Sequence, residues 1–118
     1  MHIKTESQKN WEKSFYGGEG LVKGRAAIGF GLPRPDGSPI NTTVNLTVPV
    51  GASVGEHIHP NQDEIYFVIA GGGKHNTEGK EYPISQGDVI VTPKGVKHSF
   101  KNTGSEPMIL QATLIDNK

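Results

Sequence analysis

Glycine and proline interrupt this chain so often that no long helix fits between them. Sixteen Gly and eight Pro make about one residue in five a backbone punctuator, against an average near ~12%. Glycine in a helix costs conformational entropy, and proline removes a backbone donor. After residue 20 no stretch of helical period exceeds ten residues. What lies between the punctuators is short and extended in character. Val44, Leu46 and Val48 alternate with Asn45 and Thr47, the pattern of a half-buried strand. Arg25 to Gly31 reads as a strand around Ile28 and Phe30, and Glu64 to Ala70 is the most apolar run. Glu78-Gly79 between Lys74–Thr77 and Lys80–Ile84 reads as a hairpin turn. Val89–Val91, Lys97–Lys101 and Met108–Ile115 supply further strands. Strands at this spacing predict an all-β sandwich or barrel.

A chain of 118 residues is one domain's worth. The reading divides it into a polar N-terminal arm, 1–20, and a single β domain, 21–118. In the arm, Thr5 and Gln8 have capping-box spacing, and Trp11 and Phe15 would share a helix face. One short helical turn is expected there, or else an irregular arm ended by Gly17-Gly18. Its aromatic residues need a surface to bury against, and a partner subunit would provide one. Twelve Lys plus Arg balance twelve Asp plus Glu, which argues against a nucleic-acid binder or a polybasic membrane-surface protein. No run of ~18 apolar residues exists to span a bilayer, and residues 1–20 lack an apolar leader core. A cytoplasmic protein is expected. Cysteine is absent, so there is neither a disulfide framework nor a thiolate ligand or nucleophile.

The histidines carry the chemistry. His57 and His59 are two apart, which on a strand points both imidazoles to one face. Pro60 biases His59 toward extended backbone. Glu64 opens the next apolar strand, where its carboxylate can complete the same site, and His98 follows the Pro93-x-Gly95 turn. Three imidazoles and one carboxylate suit a first-row transition metal better than Ca²⁺ or Mg²⁺, which prefer oxygen. Unrelated surface histidines would be the reading of His57-x-His59 alone.

The full spacing goes further. Gly51, five residues, His57-x-His59, four residues, Glu64, six residues and Gly71 form one pattern. Gly87, five residues, Pro93-x-Gly95, two residues, His98, three residues and Asn102 form another, fifteen residues on. Both resemble the two motifs of the cupin superfamily at every specified position. The resemblance implies a double-stranded β-helix, or jelly-roll barrel, with one divalent transition metal (Fe, Mn, Zn, Ni or Cu) inside one end. It implies His57, His59, Glu64 and His98 as the ligands. A homodimer is expected by the same resemblance. The implied function is a metalloenzyme acting on a small oxygenated or anionic metabolite, by dioxygenase or by Lewis-acid lyase, isomerase or cyclase chemistry. A non-catalytic module binding a small ligand is the alternative. A storage-protein role fits neither the short length nor the intact ligand set.

Two further residues are candidates for catalysis. Tyr66 shares a strand face with Glu64, so its phenol could donate a proton or orient substrate, or simply fill the core. His75 and Thr77 should face inward, since Lys74 beside them prefers solvent. His75 would then line the pocket and bind an anion or move a proton, or else be a core histidine satisfied by backbone.

Overall fold

Alternation separates an inner from an outer face in most strands of the computed structural model, which describes residues 1–118. In β3 (Ile40–Val48), Thr42, Val44, Leu46 and Val48 are buried and the residues between them are not. β10 (Met108–Asp116) pairs antiparallel with β3 and sets Met108, Leu110 and Ala112 opposite Val48, Leu46 and Val44. β5 (Gln62–Ala70) flanks β10 on its other side, with Val68, Tyr66 and Glu64 opposite Leu110, Ala112 and Leu114. β1 (Lys9–Lys13), β2 (Val22–Ile28) and β8 (Val89–Thr92) extend this sheet to the order β1-β2-β3-β10-β5-β8. A second sheet contains β4 (Ser53–His57), β6 (Gly72–Thr77), β7 (Lys80–Ser85) and β9 (His98–Lys101), in the order β4-β9-β6-β7. The core joins the inner rows of both, with Leu46, Tyr66 and Leu110 from the larger sheet and Val54, Ile84 and Phe100 from the smaller. This is the all-β jelly-roll barrel that the motifs imply.

The turns fall where their residues demand. Thr77 pairs with Lys80 across Glu78-Gly79, and both loop residues have positive φ, 50° and 80°, as a two-residue hairpin turn requires. The Asn102 side chain ties the β9–β10 connection together. Its amide donates to the Val48 and Glu106 carbonyls, and its oxygen accepts from the Gly104 N–H.

Two local expectations are corrected. Residues 9–13 form no helical turn; they are β1, the sheet's edge strand, paired antiparallel with β2. The one short helical turn expected in the arm is present as a 3-10 turn at Thr5–Ser7, without the side-chain cap that Thr5 and Gln8 suggested. Trp11 and Phe15 do meet, with ring centroids 5.0 Å apart, but as core flank rather than helix face: both pack on the buried cluster. Arg25–Gly31 is not one strand either. β2 stops at Ile28, because Gly29, Phe30 and Gly31 all take positive φ. The resulting turn brings Phe30 within 5.3 Å of the Trp11 ring. No helix is long and apolar enough to cross a membrane.

Candidate metal centre

Four side chains converge between the sheets at one end of the barrel. His57 ends β4 and His98 begins β9, opposite one another in the smaller sheet. Glu64 comes from β5 in the larger sheet. As expected, it opens the strand that follows the histidine segment, and it faces that segment across the core from the other sheet. His59 lies just beyond β4, so the two histidines do not share one strand. One potential ligand atom from each of the four residues lies within 4.8 Å of all the others.

Hydrogen bonds to the backbone aim the rings. His57 Nδ1 donates to the Gly55 carbonyl at 2.7 Å, and His98 Nδ1 donates to the Val96 carbonyl at 3.1 Å. That tautomer leaves each Nε2 with a lone pair. His98 Nε2 then faces Glu64 Oε1 at 2.9 Å, lone pair against lone pair unless a proton or a cation lies between. His59 Nε2 is buried 3.3 Å from the same oxygen, without hydrogen-bond alignment. A buried imidazole nitrogen lacking a partner, beside a carboxylate oxygen and two further imidazoles, fits a divalent transition metal. The cluster can chelate one such ion.

The electrostatics agree with that use. Burial pushes His57 down to about 4, so its imidazole is neutral at ordinary pH. Burial works to raise Glu64, but the His59 and His98 rings and the Tyr66 O–H beside it outweigh that and hold the carboxyl at about 2. Tyr66 donates its O–H to Glu64 Oε1, and its oxygen lies 3.2 Å from His98 Nε2. Burial, and then the Glu64 charge, push this phenol well above its ordinary value. Tyr66 thus keeps its proton beside the cluster.

A narrow cavity of about 30 Å³ opens on His57, His59, Glu64 and Tyr66. Its remaining wall is mostly apolar: Val44, Leu46, Ala112 and Leu114 from the barrel, and Phe15, Tyr16 and Phe30 from the N-terminal third. His75 does not line it. That ring is buried at 6% exposure and stacks on Phe100, with centroids 4.9 Å apart. It faces the interior as alternation requires, but off this cavity. The sequence reading missed Tyr16, which stacks flat on His57 at 3.7 Å and 6°. The available signal was an aromatic pair, Phe15-Tyr16, next to Gly17-Gly18 in a chain with few aromatics.

Comparison with known proteins gives the same picture. The family model for the cupin domain matches residues 44–115. The oxalate-binding protein of Thermotoga maritima is 40% identical over 70 residues, 59% of this chain and 58% of that protein. Protein SchB of Streptomyces halstedii is 35% identical over 54 residues, 46% of this chain and 39% of that protein. The chain thus spans about half the length of these curated relatives. The crystal structure of a predicted oxalate decarboxylase from Thermotoga maritima superposes with a TM-score of 0.83 at 28% identity, covering 98% of this chain and 99% of that one.

Proposed function

The chain belongs to the cupin family, and on that premise we propose that it is a metal-dependent enzyme acting on a small carboxylate of the oxalate type. The observation that carries the reading is the cluster of three imidazoles and one carboxylate, with ligand atoms within 4.8 Å of one another, beside a cavity too small for a large metabolite. His57, His59, Glu64 and His98 would hold the ion. Three neutral imidazoles and one carboxylate leave a divalent ion with net positive charge and open positions, which favours an anionic oxygen ligand. The bound metal supplies Lewis acidity toward a carboxylate oxygen. Tyr66 holds a proton at its phenol, next to the cluster, where it can be given to a carbanionic carbon as carbon dioxide leaves. His75 is the weaker catalytic candidate, because Phe100 rather than the cavity adjoins its ring.

A second reading, capture of the small carboxylate without turnover, is favoured by the relative described as an oxalate-binding protein. One experiment separates the two. Protein loaded with Mn²⁺ is mixed with oxalate, while calorimetry reports binding and formate and carbon dioxide are measured. Formate in equal yield to carbon dioxide supports the enzyme; binding without formate supports the binding module. Oxygen uptake in the same assay would instead favour dioxygenase chemistry. If oxalate binds equally well to wild type and to Glu64→Gln treated with chelator, the metal reading fails.

The assembly is proposed as a homodimer in the cytoplasm. The support is an apolar outer face on the larger sheet: Phe67, Ile69, Val89 and Val91 are all exposed. Phe67 pairs with Val89 and Ile65 with Val91, so the patch is continuous across β5 and β8.

A further inference from the structure

We propose that Tyr16, carried on an N-terminal strap of residues 15–19, is the residue that sets the size of ligand this site accepts. The inference rests on the metal reading above and concerns a residue outside both cupin motifs.

The strap is fixed against β4 by its backbone. Phe15 forms a parallel bridge with Val54, and the Gly55 N–H donates to the Phe15 carbonyl at 2.9 Å. The Ser53 N–H donates to the Glu19 carbonyl at 2.9 Å, and the Glu19 N–H to Ser53 Oγ at 2.8 Å. Two glycines make this approach possible. A Cβ on Gly55 would collide with the Tyr16 carbonyl oxygen, and one on Gly18 with the Ser53 carbonyl oxygen. The strap is therefore seated on the strand that ends in His57.

Seating it there sends the Tyr16 ring over the metal cluster. Tyr16 has φ of 53°, the left-handed region, which a tyrosine rarely adopts. Strained backbone of this kind persists where the surroundings impose it, often at ligand sites. The ring stacks on the His57 imidazole, whose Nδ1–H donates to the Gly55 carbonyl. Tyr16 lines the cavity yet is 48% exposed, so it stands where the cavity meets solvent. Beside it the cavity has room for about 30 Å³, little more than a water or two. A compact carboxylate needs only a small displacement of the ring to enter. A carboxylate carrying an aromatic or branched group meets it.

The test uses Co²⁺-loaded protein, whose visible spectrum reports ligands entering the open positions. Acetate and benzoate are titrated at saturating Co²⁺, so that any loss of metal affinity does not confuse the result. Wild type should bind acetate more tightly than benzoate by about tenfold or more, the discrimination a shaped apolar wall can supply. Tyr16→Gly removes the ring and relieves the backbone strain together, so it should fold well and bring the two affinities to near equality. Tyr16→Phe should retain the wild-type ratio. Gly18→Ala, which touches no ligand, should move the ratio toward that of Tyr16→Gly by lifting the strap. An unchanged acetate-to-benzoate ratio in Tyr16→Gly overturns the inference while leaving the metal site standing. A wild type that takes up no Co²⁺ overturns both.

Discussion

His75 has one ring nitrogen, Nε2, buried without a hydrogen-bond partner while the ring stacks on Phe100. An unsatisfied buried polar atom costs about 1–3 kcal/mol. His75→Leu, close in volume, should therefore raise stability by about 1 kcal/mol, seen as a higher denaturation midpoint at unchanged slope. A lower midpoint would mean that a bridging water satisfies Nε2 in solution. The ligand residues respond to acid in a defined order. In the metal-free protein His57 titrates near 4 rather than at 6.5, so the unfolded chain binds its proton first. The stability that His57 contributes above 6.5 is lost as pH falls from 6.5 toward 4. Glu64, held at about 2 against 4.5, contributes stability above 4.5 that is lost between there and 2. Unfolding free energy should fall steadily on acidification from pH 7. His57→Gln should flatten the upper part of that slope, and an identical slope in the variant would contradict the buried neutral imidazole. At this scale the four ligand candidates were legible because their types and spacing lie within two short motifs. Tyr16 was not. Its contact with His57 depends on docking a strap onto a strand far along the chain, and no local pattern encodes that.

At the scale of elements, β1 is the informative case. Only Trp11 of its five residues is even half-buried, so the alternation that identifies other strands is nearly silent, and the four-residue spacing to Phe15 imitates a helix. Its position is set instead by Gly24 on β2, which lies opposite Trp11. A Cβ on Gly24 would collide with the indole ring. Gly24→Ala should accordingly loosen β1 and lower the melting temperature, without altering metal stoichiometry measured by elemental analysis. β3 was legible because its inner row alternates with polar neighbours, and β5 and β10 because each is an apolar run bounded by turn residues. The end of β2 was not, because Phe30 looks like a strand residue and its positive φ is a property of the turn. The same facts revise the role expected for the N-terminal aromatics. Trp11 and Phe15 pack on the core of their own chain, so removing residues 1–13 should cost stability rather than weaken association.

For the whole molecule, the site ties the two sheets to each other. His57 and His98 belong to one sheet and Glu64 to the other. An ion bound only by the folded form stabilises it by about 2.7 kcal/mol at a hundred times its Kd. Removing metal with a chelator should lower the melting temperature, and Mn²⁺ should restore it. An unchanged melting temperature, with removal verified, would show that the sheets hold together without the ion. Association should involve the outer face instead. Sedimentation should give about twice the 12.7 kDa chain mass, and Val91→Lys should give the monomer, while a monomeric wild type at micromolar concentration would exclude the dimer. The strand order also bears on how the protein is made. β10 lies between β3 and β5, so the middle of the larger sheet is filled by the strand synthesised after the other nine. Translation adds ~5–20 residues per second. Through the interval before Met108–Asp116 emerges, β3 and β5 each lack a neighbour, and the nascent chain presents open apolar edges to the ribosome surface and to chaperones. His57, His59, Glu64 and His98 are all present by then, but the frame that brings Glu64 to the histidines is not, so metal loading must wait for the last strand.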